Sequence, residues 1–207
     1  MRLSVDSGSI EGDLVVPSPA RAIVVFAHGS GSSRHSSRNK LVAAVLQAAG
    51  FGTLLFDLLT PAEERQDERK GAFRFDIDLL ARRLEAVTDA LEDEPASQAL
   101  PVGYFGASTG AAAALVAAAG RPTVRAVVSR GGRPDLAGDA LRRVIAPTLL
   151  VVGGLDREVL AMNREAQSLL GGPSELVIVP GATHLFEEPG ALDEVARLAT
   201  RHFTRYL

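Results

Sequence analysis

Gly106-Ala107-Ser108-Thr109-Gly110 is the segment of this chain best suited to chemistry. It follows a short apolar run, Val102–Phe105, and precedes a small-residue stretch, AAAALVAAA, that reads as a helix. A serine at such a strand–turn–helix junction sits in a tight, strained turn, and glycines two residues to either side let backbone pass without Cβ clashes. Its hydroxyl then projects above the sheet. The helix N-terminus lies beneath it, and amides such as that of Thr109 can hold an oxyanion there. Taken alone, the pattern fits an ordinary glycine-rich turn equally well.

A serine nucleophile needs a base, and the base needs an acid to orient it. The chain has four histidines. His184 lies in PGATHLF, after the apolar run Glu175–Val179, and is the candidate base. His28 directly follows the run Ala22–Phe26 and reads as a residue that shapes that turn. His35 falls in a polar loop, and His202 reads as a surface or capping residue of the last helix. Asp156, in VVGGLD after Thr148–Val152, is the candidate orienting acid. Asp135 and Asp139 read as capping or decorating residues, and Asp57 as a residue that holds neighbouring loops. The segment His28-Gly29-Ser30-Gly31-Ser32-Ser33 can present a second oxyanion donor opposite Thr109, with the Ser30 amide expected to supply it.

The elements that must position these groups follow from hydrophobic patterning. Ala22–Phe26, Thr53–Phe56, Val102–Phe105, Ala126–Ser129, Thr148–Val152 and Glu175–Val179 read as strands. Most are apolar throughout, as expected of parallel strands buried on both faces. Asn39–Ala49, Asp76–Leu91, Thr109–Ala119, Val159–Leu170 and Ala191–Tyr206 read as helices, with apolar residues at three- and four-residue intervals. Alternating strands and helices imply an α/β fold, a doubly wound and mostly parallel sheet. Leu3–Val16 reads as an antiparallel edge hairpin. In such a sheet ligands bind beyond the carboxyl ends of the strands, where all the candidate residues fall.

The ordered set HGSGSS, GASTG, GGLD and GATHLF resembles the α/β-hydrolase superfamily, particularly its small dienelactone-hydrolase-like members, over nearly the whole chain. The resemblance implies a cofactor-free serine hydrolase working through an acyl-enzyme. Ser108 would be the nucleophile, His184 the general base and then acid, and Asp156 its orienter. One departure stands out: dienelactone hydrolases proper carry a cysteine nucleophile, and this chain has serine there and no cysteine anywhere. Segments like SRGGRPDLAG are also similar to domains attached to phosphoribosyltransferase domains, and no such domain is read in residues 1–207.

Composition narrows the partners. At 207 residues the chain suits one domain, 1–207. A net charge of −3 gives no basic surplus for nucleic acid. Pro95–Gly120 carries no formal charge, but its prolines and glycines interrupt it too often for a membrane helix. The N-terminus lacks the apolar core of a secretory signal, so a cytoplasmic location is expected. A small ester-type substrate is expected, with neither cofactor nor metal. The connection from Arg130 to Pro147 leaves room for one short helix and no substantial lid. Arg34, Arg38, Arg130 and Arg133 crowd the expected rim, and Arg130 and Arg34 are the candidates for contacting an anionic substrate group. Arginine supplies nearly all the chain's cations, so these positions also fit its ordinary usage.

Two other readings stay open at this level. Gly29-x-Gly31 followed by Asp57 imitates a dinucleotide-binding unit, with Arg34 where the third glycine belongs. A non-catalytic small-molecule-binding member of the fold would share every element above.

Overall fold

The computed structural model describes residues 1–5 and 7–207. Eight strands form one sheet: β1 Arg2–Val5, β2 Gly8–Val15, β3 Ile23–Ala27, β4 Gly52–Phe56, β5 Val102–Ala107, β6 Val124–Arg130, β7 Thr148–Gly153 and β8 Ser174–Val179. Their order is β1-β2-β4-β3-β5-β6-β7-β8. The pairs from β4 to β8 are parallel, while β1 and β2 form the expected antiparallel hairpin at one edge. This is the expected α/β fold, with a mixed, mostly parallel sheet. The central strands are buried at every position in β3, β4 and β7, which is why their sequences run apolar instead of alternating.

Helices cover both faces. α1 (Ser37–Ala48) and α6 (Ala191–Tyr206) pack on one side, around Phe26, Phe51, Phe105 and Phe203. α3 (Ile77–Asp93), α4 (Thr109–Gly120), α5 (Arg157–Leu169) and a 3₁₀ segment (Pro134–Arg143) cover the other. α4 is almost entirely alanine and glycine and is buried nearly all round, so it lies close beneath the sheet. Where one short helix was expected between Arg130 and Pro147, the 3₁₀ segment is two short helical pieces on either side of a kink at Gly138 (φ 51°, ψ −134°).

One helix was not legible from periodicity. α2 (Pro61–Lys70, PAEERQDERK) lies in the segment read as a loop after β4. It has no apolar stripe. Its ends make it a helix: Thr60 and Glu63 form a reciprocal capping box, Pro61 opens the first turn, Arg69 and Lys70 face the negative end, and Gly71 closes it at φ 62°. Glu63 is also buried against Arg83 of α3 (2.9 Å), and Asp67 accepts from the Phe73 and Arg74 amides, so both ends of α2 are anchored. Hydrogen bonds from Ser7 and Thr60 and the Arg83 charge hold the Glu63 carboxyl below its usual range, against the upward push of its burial.

The chain reverses its direction of travel across the sheet around β3, so β3 and β5 are neighbours while their connections diverge. That leaves a crevice at their carboxyl ends. No helix among the described residues is long and apolar enough to cross a membrane.

Candidate active site

Ser108 occupies the turn between β5 and α4 at φ 51°, ψ −122°, a conformation costly for a residue with a Cβ. The turn is held by main chain. Ser108 N donates to Arg130 O (3.2 Å), while Ser108 O accepts from Ala111 N and Arg133 N (3.1 Å each). The flanking glycines are required by proximity. A Cβ at Gly106 would overlap the Ala111 backbone, and one at Gly110 would overlap the carbonyls of Ala27 and His28. The two glycines of the motif therefore serve to bring α4 under the turn and β3 against it.

The β3 loop arrives beside this serine because Ala27 pairs with Gly106. A Cβ at Gly29 would stand 3.1 Å from Ser108 Cβ and 3.2 Å from Ala107 O, a tight approach that glycine leaves unobstructed. Ser30 and Thr109, the expected oxyanion donors, are tied to one another by a hydroxyl–hydroxyl hydrogen bond of 3.0 Å. Among the described residues neither of their amides donates to another protein group. His28 shapes the turn as its position suggested. Its Nε2 accepts from Leu58 N (3.1 Å) and its Nδ1 donates to Gly29 O (3.0 Å), a pattern only the neutral ring can make. Burial pushes its pKa down, against the Gly29 hydrogen bond and the Asp57 charge.

Asp156 follows β7 and His184 follows β8. Their loops interlock: Leu155 N donates to Ala182 O (2.9 Å), and a Cβ at Gly153 would overlap the Ala182 and Thr183 carbonyls. Buried Phe186, at φ 56°, pins the histidine loop into the core. His184 Nδ1 stands 2.6 Å from Asp156 Oδ2. A carboxylate can only accept, so Nδ1 is the donor, and in the neutral ring that leaves the lone pair on Nε2. A Cβ at Gly131 would stand 3.5 Å from the His184 ring, so the loop after β6 lies close against the imidazole. His202, by contrast, is not the surface residue its sequence suggested: it is buried, with Nε2 3.1 Å from Pro147 O.

Ser108 and His184 line one cavity of about 180 Å³, together with Gly29, Ser30, Arg38 and Arg130. The hydroxyl and the imidazole share it with no direct hydrogen bond between them. In substrate-free enzymes such bonds are commonly long and tighten when the substrate arrives.

The four rim arginines divide. Arg34 is turned away, bound to Asp57 and Glu11 and placed outside this cavity, so it is not free for a substrate anion. Asp57 thereby does the loop-holding its position suggested, and this engagement also removes the free acid a dinucleotide ribose would need. Arg133 is neutralised by Asp135. Arg130 is 7% exposed, and its Nε and Nη1 have no partner among the described residues. Burial, with the Arg38 charge beside it, lowers its pKa to about 10, so it remains a cation at neutral pH. Among the described residues Arg38 pairs only with Glu187, at 3.3 Å.

A second, larger cavity of about 300 Å³ lies on the other side of the Gly29–Ser32 loop, bordered by Thr109 and by α2. No cluster of three or more His, Asp or Glu side chains able to hold a metal occurs among the described residues. Sequence reasoning passed over Asn163 of α5, which is fully buried and donates to Gly132 O (2.9 Å) and Val159 O (2.8 Å). A polar side chain inside an otherwise amphipathic helix was the available signal.

Residues 10–207 match the model of the dienelactone hydrolase family. The crystal structure of a dienelactone hydrolase from Anabaena variabilis is 60% identical, superposes with a TM-score of 0.97, and covers all of this chain and 96% of its own. The esterase Est1E from Butyrivibrio proteoclasticus shares the fold at a TM-score of 0.82 and 16% identity, over 99% of this chain and 97% of its own. Two Mycobacterium tuberculosis proteins, provisionally named phosphoribosyl transferases, are 63% identical over 199 residues, which is 96% of this chain and 44% of each relative. The chain thus spans less than half the length of these curated relatives.

Proposed function

Because this chain belongs to the dienelactone hydrolase family, we propose that it is a serine hydrolase of small carboxylic esters, thioesters or lactones, with Ser108, His184 and Asp156 as its catalytic triad. The observation that carries this is the 2.6 Å contact of His184 with Asp156 on a cavity shared with a strained Ser108.

The Ser108 hydroxyl attacks the substrate carbonyl and gives its proton to His184 Nε2. Asp156 holds the ring in the tautomer that accepts it and stabilises the imidazolium that forms. The carbonyl oxygen becomes an oxyanion, held by the amides of Ser30 and Thr109 at the positive end of α4. His184 passes the proton to the leaving oxygen as the C–O bond breaks, leaving an acyl ester on Ser108. Water, deprotonated by His184, attacks that ester, and the proton returns to Ser108 as the acid departs. Serine in place of the family's cysteine makes dienelactone itself a doubtful substrate.

Arg130, buried and unpartnered at this cavity, favours a substrate bearing an anionic group. Phosphoribosyl transfer is the activity named for the longer mycobacterial relatives. The site proposed here lies within the part they share with this chain, so hydrolysis would be a second activity beside transfer. A fluorophosphonate probe is expected to label the wild-type protein and not Ser108→Ala. A p-nitrophenyl acetate assay is expected to show turnover only in the former. Equal hydrolysis by pure Ser108→Ala would reject the assignment.

A further inference from the structure

The two cavities meet at a single wall, formed by Gly29, Ser30 and Ser32. Ser108 and His184 open on the smaller one. Thr109 opens on the larger, and the Ser30–Thr109 hydroxyl bridge spans the boundary. A carbonyl carbon bonded to Ser108, with its oxygen at the Ser30 and Thr109 amides, therefore has one substituent on each side. The chemistry decides which is which. The leaving oxygen must take its proton from His184, and the water of the second step must give its proton to the same nitrogen. Both therefore occupy the cavity that His184 lines. The acyl group stays bound through both steps and needs a place the base does not reach. His28, the histidine on the larger cavity's wall, has both ring nitrogens committed to Leu58 N and Gly29 O and so cannot take over the role of His184 there.

Resting on the serine-hydrolase reading above, we propose that the α2-bordered cavity is the acyl site and that Arg130 and Arg38 receive an anion carried by the leaving group. The volumes fit this division. About 300 Å³ is at the small end of ligand pockets, and about 180 Å³ suits a compact anionic fragment. So do the walls. Leu58, Leu59 and Leu80 offer the larger cavity an apolar surface. Glu64 and Glu68 of α2 border it and form no ion pair among the described residues, so an anionic acyl group is repelled there. The substrate class is an ester or thioester that joins an uncharged, moderately sized acyl group to a leaving group bearing a carboxylate or phosphate.

Four matched esters test this: phenyl acetate, phenyl butyrate, 4-carboxyphenyl butyrate with its charge on the leaving side, and phenyl hydrogen succinate with its charge on the acyl side. The wild-type protein is expected to favour 4-carboxyphenyl butyrate over the succinate by at least about thirtyfold in kcat/KM, from one buried charge pair. In Arg130→Gln that ratio is expected to collapse towards one. Leu59→Trp is expected to lower the butyrate-to-acetate ratio about tenfold by filling the acyl cavity. Glu68→Lys, an exposed change on α2, is expected to raise succinate turnover about threefold. A wild-type preference for the succinate that disappears in Arg130→Gln would place the anion on the acyl side and overturn the proposal. An unchanged butyrate-to-acetate ratio in Leu59→Trp would overturn the acyl cavity. Both outcomes leave fluorophosphonate labelling of Ser108 intact. Absence of labelling and of all turnover would instead bring down the serine-hydrolase reading, and this proposal with it.

Discussion

Asn163 Nδ2 donates to Gly132 O at 2.9 Å, and this bond ties α5 to the loop that follows Arg130 and borders the His184 ring through Gly131. Asn163→Ala leaves that buried carbonyl without its donor. A loss of about 1–3 kcal/mol is expected, seen as a melting temperature lower by about 2–4 °C per kcal/mol in a chain of this size. If the bond also steadies His184, kcat falls more than KM rises; a melting temperature equal to wild type would show the bond to be dispensable.

Ser108 sits at φ 51°, and alanine at this position keeps the Cβ that makes the conformation costly. Glycine removes it. Both Ser108→Ala and Ser108→Gly are expected to lack turnover, while Ser108→Gly is more stable than Ser108→Ala by about 1 kcal/mol. Chemical denaturation of the two variants side by side measures the difference.

Gly106→Ala and Gly110→Ala each force a methyl into neighbouring main chain, which cannot withdraw as a side chain can. Each is expected to cost about 3 kcal/mol or more, or to prevent soluble expression. A variant that melts within 2 °C of wild type, by roughly the same scale, would contradict the packing described around the turn.

His28 and His202 are held neutral chiefly by burial, and their folded pKa values lie below that of the unfolded chain. The unfolded chain therefore binds more protons as the solution is acidified through about pH 6.5, the ordinary histidine value. The stability they contribute is complete above that pH and is lost as pH falls from there through the folded values. Melting temperature is expected to drop between pH 7.5 and pH 5.5, and to drop less in His28→Gln. Parallel pH profiles for the two proteins would remove His28 from this account. Glu63, with its depressed carboxyl, adds a further loss only as pH falls below the ordinary carboxylate range.

The strands and most helices were readable because burial on both faces leaves an unmistakable apolar run, as in TLLVV, and because AAAALVAAA has no other stable use. The candidates Ser108, Asp156 and His184 could be singled out because each stands just after such a run. α2 was not, because a helix held by its caps and by one buried ion pair, Glu63 with Arg83, leaves no period in the hydrophobicity. The arginines show a different limit. Residue type marks Arg34 and Arg130 equally, but among the described residues the folded loops bring carboxylates to the first and none to the second. His202 was misplaced for a related reason: its partner is a carbonyl far away in the chain.

At the Ser108 turn, three glycines let main chain meet main chain or the serine's own Cβ, and the serine's position is fixed almost without help from neighbouring side chains. The surrounding walls are thus at liberty to change. Substitutions in α2 or along the β4 loop could redirect what enters without displacing the Ser108 hydroxyl, which makes this turn a fixed origin around which new preferences can be bred.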